Sequence, residues 1–374
     1  MMKPYTPIML PKYKLIDMNE IFNDVIEANS KIATYNEKIN NSKVRSELLL
    51  DFLTMKEALE SSKIEGTQAT FDEILEYRVD KKNVSNDINE VLNYYVALQT
   101  GVYKLKSLPI SSRFLKDLHK ILLSNGVRGN TKAPGEFRSV QNFIGPNNCT
   151  INNASYVPPE PQLVNEYMSN LEKFINDIDD KTNDLIKIAI IHCQFETIHP
   201  FLDGNGRIGR ILIPLYLYEK GLLTGANLFV SESLERDKFK YYQLLNNTRV
   251  EIEEDDEKSI EKAQLHYTNW VKFFLRACIM ELDKIILKID RINELYEKTM
   301  IKAKDIVSST KMIDLVDKIF EYPIFKTSSI EGIDIAPSTL NDYLRKLVEN
   351  GLLYTDGKQR GKTYYFYELI DILR

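Results

Sequence analysis

Twelve consecutive residues hold most of the reactive groups a phosphate chemist would ask for. They are His199, Pro200, Phe201, Leu202, Asp203, Gly204, Asn205, Gly206, Arg207, Ile208, Gly209 and Arg210. His199 can take a proton near neutral pH. Asp203 is a hard oxygen ligand, and Mg²⁺ is commonly bound by one or two carboxylates together with substrate phosphates. Gly204 and Gly206 allow a close backbone approach to an anion. Arg207 and Arg210 are three apart, share a helix face and can fork onto phosphate oxygens. The chemistry implied is attack of an acceptor hydroxyl on a nucleotide phosphate.

Two helices must position these groups. The apolar stretch 185–198 predicts one, broken by Pro200 and the glycines. The pattern over 205–220 predicts the next, with Gly221 as its stop. The loop between them therefore feeds a helix N-terminus, where free N–H groups and the macrodipole favour an anion.

The pattern HPFx[DE]GNGRxxR, complete at 199–210, resembles the Fic (filamentation-induced-by-cAMP) family. That resemblance implies protein adenylylation, the transfer of AMP from ATP to a hydroxyl of a protein target with release of pyrophosphate. It implies that His199 is the base and that Asp203 holds Mg²⁺. Gly204, Asn205 and Gly206 would bind phosphates through the backbone, with help from the Asn205 side chain, and Arg207 and Arg210 would hold the β- and γ-phosphates. Phe201 would anchor the loop in the core. Doc-type relatives carry Lys where Gly206 stands and phosphorylate instead, so Gly206 favours the adenylylating branch.

Further segments resemble the same family. Gly135, Glu136, Phe137 and Arg138 match a GxxR-type segment, and Asn142–Gly145 through Ala154–Pro159 resembles a flap that pairs with the target backbone. Alternation around Asn147 and Asn148 predicts a β-hairpin there. Residues 236–245 resemble the region supplying an adenine-stacking aromatic, with Tyr242 first and Tyr241 second.

A second motif lies at Ser61, Glu65 and Gly66, matching the family's inhibitory pattern [ST]xxxE[GN]. The spacing of four puts Ser61 and Glu65 on one helix face. In such relatives the glutamate pairs with the last arginine of the motif, here Arg210, and competes with the γ-phosphate; some use it to remove AMP again. The pattern recurs at 327–332, in what reads as a different domain.

A chain of 374 residues predicts two or three domains. They are expected at 1–90 (N-terminal helical region with the inhibitory motif), 91–285 (catalytic core) and 286–374 (linker helix and winged-helix-like domain). The fold class expected is mainly α: a Fic-type helical core with a β-hairpin flap, an N-terminal helical region and a C-terminal winged-helix-like domain. A helix carrying Trp270 packs on the core, and a long helix from about 275 to 306 leads out of it. The tail offers helices at 311–322 and from Pro337, then two strands around the basic tip Lys358, Arg360 and Lys362.

Composition excludes other classes. No apolar run reaches membrane-spanning length, and residues 1–5 lack a signal-peptide core, so a cytoplasmic protein without membrane partners is expected. Cys149, Cys193 and Cys278 are scattered and form no metal or redox spacing. The net charge of -5 gives no general attraction to nucleic acid. Residues 301–374 carry 11 Lys+Arg against 11 Asp+Glu, so the tail has no basic footprint. The acidic run 251–257 reads as a solvated loop. Two functions stand. One is an ATP- and Mg²⁺-dependent adenylyltransferase acting on Ser, Thr or Tyr hydroxyls, itself included, with homo-oligomers open. The other is a nucleotide-sensing, DNA-binding transcriptional regulator; a sensor needs no base, so His199 favours the first.

Overall fold

The computed structural model describes residues 3–11, 14–80, 84–145, 149–253 and 256–374. The fold is mainly helical, as the periodicity predicts, with one small three-stranded sheet among the described residues. Helix α1 (Met18–Asn40) starts on Asp17, whose carboxylate accepts from the Asn19 N–H at 3.0 Å. Helix α2 (Ser46–Ile64) ends at Glu65. Helix α3 (Phe71–Val79) opens in a reciprocal capping box between Thr70 and Glu73. Ser85 and Ser111 cap α4 (Asn86–Leu105) and α5 (Ser112–Leu122).

The centre follows. Helix α6 (Val164–Ile175) leads to α7 (Asp184–Ile198) and α8 (Asn205–Glu219), within a residue of the expected 185–198 and 205–220. Almost all of α7 is buried, and it has no polar face. A helix apolar all round must be sheathed by others. Here α6, α8, α10 (Lys238–Asn247, after the short α9, Ser231–Arg236) and α11 (Glu257–Ile306) do this. Trp270 of α11 is fully buried; its indole N–H donates to the Ala189 carbonyl at 2.8 Å, and its ring stacks on His192.

The two helices expected around Trp270 and from 275 to 306 are one continuous helix, α11, of 50 residues. No Pro or Gly interrupts residues 257–306, so nothing in the chain breaks it. The expected boundary at 285/286 lies within it. Helix α1 runs parallel to α11. Lys272 pairs with Glu20, Arg276 with Asp24, Lys31 with Asp283 and Lys38 with Asp290, each 252 residues apart. Along each helix these positions are spaced by four, seven and seven residues, so the same face meets its partner turn after turn.

Beyond α11 come α12 (Met312–Glu321), β1 (Ile324–Lys326), α13 (Pro337–Glu349), β2 (Tyr354–Thr355), β3 (Thr363–Tyr365) and α14 (Tyr367–Leu373). The sheet order is β1-β3-β2, antiparallel throughout, with Tyr365 opposite both Ile324 and Tyr354. This unit does not hang free. Helices α12 and α14 pack on α11, β1 packs on α3, and Arg374 meets Asp72 at 2.5 Å.

The expected β-hairpin flap is reduced, among the described residues, to a single antiparallel bridge between Ile144 and Tyr156. Asn153 accepts from the Thr150 N–H at 2.6 Å and from its hydroxyl, closing a local turn that competes with a ladder. Asn147 and Asn148, around which the hairpin is expected, lie outside the described residues, as do Glu254 and Asp255 of the acidic run. Among the described residues no helix is long and apolar enough to cross a membrane.

Candidate active site

The loop from α7 to α8 is built by its own residues. His199 ends α7 in the left-handed conformation, φ +49°, which turns the chain out of the helix. Phe201 is fully buried, stacked on the His119 ring at 3.8 Å between centroids. The Asn205 side chain accepts from the Phe201 N–H at 2.8 Å and donates to the Phe201 carbonyl at 2.9 Å. That amide therefore closes the loop rather than reaching outward, unlike the phosphate-contacting part expected of it. Gly204 sits at φ +75° as the cap of α8. The first i→i−4 bond of α8 runs from the Ile208 N–H to the Gly204 carbonyl, so the N–H groups of Asn205, Gly206 and Arg207 lack intrahelical acceptors.

Arg138, from the GxxR segment, is buried and braces this loop. Its guanidinium donates to the carbonyls of His199 at 2.9 Å and Pro159 at 2.6 Å, and its N–H donates to the Pro200 carbonyl at 2.8 Å. The flap base is tied in through the Tyr156 hydroxyl to the Thr197 carbonyl at 2.6 Å and Asn142 to the Phe201 carbonyl at 3.2 Å.

His119 is a site residue the sequence did not reveal, because one histidine in the amphipathic helix α5 gives no signal. Its Nδ1 accepts from the Gly135 N–H at 2.8 Å, so Nε2 carries the proton and donates to the Asp203 carbonyl at 2.9 Å. Burial pushes its pKa down to about 4, consistent with that neutral form.

The base candidate is neutral as well. Burial, then Arg249 and Arg138, push His199 down to about 3. Its Nδ1 is buried with no hydrogen-bond partner among the described residues, and the Glu196 carboxyl lies 3.9 Å away. Burial raises Glu196 to about 7.

The two motif arginines differ in their partners. Arg210 is buried, donating to the Ser61 hydroxyl at 2.8 Å, the Ser61 carbonyl at 3.0 Å and Glu65 at 2.6 Å. The residues singled out at Ser61 and Glu65 are thus brought to Arg210 from 149 and 145 positions away. Burial alone would raise the Glu65 carboxyl, but Arg210, Arg207 and Arg128 outweigh it and hold it below its usual value. Gly206 makes this approach possible: a Cβ there would stand 2.5 Å from the Glu65 carboxylate. Gly66 follows in the left-handed region, φ +100°. The second pattern match places Glu331 exposed in the C-terminal unit.

Arg207 is completely buried, yet none of its three guanidinium nitrogens has a hydrogen-bond partner among the described residues. The nearest carboxylates, Glu90 and Asp203, are both 3.7 Å away. A buried cation left so incompletely paired is costly unless an anion completes it. Asp203 itself is about one-third exposed, and one of its oxygens accepts from the Gly204 N–H at 2.6 Å. Among the described residues no cluster of three ligating side chains forms. A lone carboxylate next to an anion site suits Mg²⁺ arriving with phosphates rather than a metal caged by protein.

Of the two tyrosines, Tyr241 is buried, with its hydroxyl 3.0 Å from His192 Nε2. Tyr242 is 41% exposed, so only it offers a ring face at the surface.

Two family models cover most of the segments that build this site. The Fic/DOC family model matches residues 109–217, and the Fic/DOC family N-terminal model matches 22–103. The chain belongs to the Fic/DOC family. Among Fic relatives, a probable protein adenylyltransferase of Aquifex aeolicus is 32% identical over 50% of this chain and 55% of its own length. The protein adenylyltransferase Fic of Drosophila grimshawi is 30% identical over 42% of this chain and 32% of its own. The chain thus spans about half of the first relative and a third of the second. A Fic family protein from Desulfovibrio desulfuricans matches over 98% of both chains, with TM-score 0.55 and 20% identity. A Fic domain containing signaling protein from Bacteroides thetaiotaomicron matches over 70% of this chain and 95% of its own, with TM-score 0.53 and 19% identity. These two likenesses bear on the fold alone.

Proposed function

We propose that this chain is a protein adenylyltransferase that moves AMP from ATP to a hydroxyl side chain of a protein, itself included, and is restrained by its own Glu65. The observation that carries the proposal is the buried, incompletely paired Arg207 beside the free N-terminus of α8, with His199 one loop away. This is a polyphosphate cradle with a neutral base at its rim.

The chemistry follows from the residues. The acceptor O–H gives its proton to His199, its oxygen bonds to the α-phosphorus, the α–β P–O bond breaks, and pyrophosphate leaves. His199 is in its basic form throughout the physiological range. An arriving triphosphate raises the basicity of this imidazole by adding negative charge nearby. Arg207 and the N–H groups of α8 hold the β-phosphate, and Arg210, once released by Glu65, holds the γ-phosphate. Asp203 would hold Mg²⁺, which would neutralise phosphate charge. The relatives named as adenylyltransferases support the same reading.

Labelled ATP tests the proposal. Protein label from α-³²P-ATP and none from γ-³²P-ATP is the expected result; label from the γ position would mean phosphorylation, and none from either would remove the transferase reading. In the same reading Tyr242 stacks on adenine. A stacked base is worth about 1–3 kcal/mol, so Tyr242→Ala should weaken ATP binding roughly tenfold by calorimetry. Tyr242→Phe should keep it.

The C-terminal unit reads as a winged helix. DNA binding draws less support: on α13, Arg345 and Lys346 already pair with Asp342 and Glu349 at 2.7–3.0 Å. De-adenylylation by the same Glu65 is part of the proposal: a water held by its carboxylate would attack the phosphorus of AMP–protein, the P–O bond to the protein would break, and the water's proton would pass to the leaving side-chain oxygen, releasing AMP and the free hydroxyl.

A further inference from the structure

Of the carboxylates facing the arginine pair, two are tied to the inhibitory turn, and one is Glu65, itself about one-quarter exposed. The other is Glu90, on α4, only 5% exposed. It accepts from the Thr67 hydroxyl at 2.7 Å. The same oxygen is 3.7 Å from Arg207 and 3.9 Å from Arg128. Thr67 is the second residue after Glu65, is buried, and donates its N–H back to the Ser62 carbonyl at 3.2 Å. Arg128 in turn donates to the Glu65 carbonyl at 2.8 Å. One carboxylate thus touches the turn that presents Glu65 and faces the guanidinium that lacks a hydrogen-bond partner.

The geometry points to Thr67 and Glu90 as positioning residues that fasten the inhibitory turn, with Glu90 shared between that turn and the phosphate-binding Arg207. The inference rests on the nucleotide reading of this site and deepens it: inhibition is set by two linked fastenings, Glu65 on Arg210 and Thr67 on Glu90. The physical reason is local. Gly66, at φ +100°, has no atom within 4 Å of where its side chain would start, so the turn gains no packing there. Its position depends on the hydrogen bonds on either side. Thr67 supplies the one on the far side of Gly66. Glu90 also competes with phosphate for Arg207, because both are anions drawn to the same buried cation.

The two parts separate by mutation. Thr67→Val keeps the shape and removes the donor. It loosens Glu65, so ATP binding by calorimetry should tighten several-fold and AMP incorporation should rise several-fold. In a Glu65→Gly background the same change should do nothing, because no inhibitory carboxylate remains to be positioned. Thr67→Ser should restore the parent values. Glu90→Gln keeps an acceptor for Thr67 but removes the charge facing Arg207. It should tighten ATP binding several-fold in both backgrounds.

The inference falls if Thr67→Val matches the parent, or has the same effect with and without Glu65. It also falls if Glu90→Gln weakens ATP binding. If Thr67→Val does not fold, as judged by its thermal midpoint, Thr67→Ala carries the same cycle. The calorimetry needs no turnover. If no variant incorporates AMP, the transferase reading fails while the affinities still decide this one.

Discussion

His199→Ala should abolish AMP transfer while leaving ATP affinity within a few-fold of the parent. The imidazole ends α7 and its nearest side-chain carboxyl is Glu196, whereas the groups proposed to bind phosphate are Arg207, Arg210 and the N-terminus of α8. Base and cradle are therefore separate, and removing one should spare the other. A positioned general base contributes roughly 10²–10⁴-fold. Initial rates from α-³²P-ATP, with calorimetry for affinity, give both quantities. Unchanged turnover would rule out His199 as the base. The pH profile adds a second check. A base is active when unprotonated, and His199 is pushed down to about 3 from an ordinary 6.5. The acid limb of kcat/KM, which reports the free enzyme, should therefore not break at 6.5 but well below it. A break near 7 would instead report Glu196, which burial raises to about that value.

What the sequence made legible was local. Helix ends at 198 and 205 follow from Pro200 and the flanking glycines, and the structure keeps them within the expected residues. The apolar-periodic helix of the tail appears where its punctuation puts it: Pro337 at the start of α13 and Gly351 beyond its end. The pairing of Glu65 with Arg210 spans 145 positions, so spacing alone could not give it and only the family resemblance did; the bond from Arg210 to the Ser61 hydroxyl is seen in the structure alone.

What escaped was long-range or made of ordinary residues. Glu90 sits in an amphipathic helix with no motif around it, and only the fold turns it toward Arg207. His119 looks like a core residue until Gly135 and Asp203 are seen on its two nitrogens. The help at phosphate expected of the Asn205 side chain differs from what is seen: a side-chain amide next to a tight turn can satisfy backbone groups instead, and here it bonds the N–H and the carbonyl of Phe201. The parallel pairing of α1 with α11 is likewise invisible in either helix alone, since each shows only an apolar face with charges along its edges.

Glu65→Gly should raise AMP incorporation roughly ten- to hundredfold over the parent at equal protein and saturating Mg²⁺-ATP. The carboxylate donates nothing to the fold's core: it ends α2 and remains about one-quarter exposed, and its contact of consequence is Arg210 at 2.6 Å. A hydrogen bond to a charged group is worth about 1.5–3 kcal/mol, which converts to that range at about 1.4 kcal/mol per tenfold. Arg210 cannot serve two anions with the same nitrogen. While Glu65 holds it, a γ-phosphate has to lie elsewhere and the α-phosphorus is not in line with the acceptor. The Ser61 hydroxyl and carbonyl would keep Arg210 in place after the change, so the freed guanidinium stays aimed at the cradle. Glu65→Gln separates charge from shape: it leaves α2 ending as before, weakens the hold on Arg210, and should give an intermediate gain. If Glu65 also removes AMP, the Gly variant should accumulate modified protein to a higher plateau as well as faster, because the reverse reaction is lost with the carboxylate. Intact-mass spectrometry over a time course reads rate and plateau together. Equal rate and plateau in parent and variant, with ATP bound to both, would mean that Glu65 does not gate the site, and the pairing with Arg210 would then only anchor the end of α2.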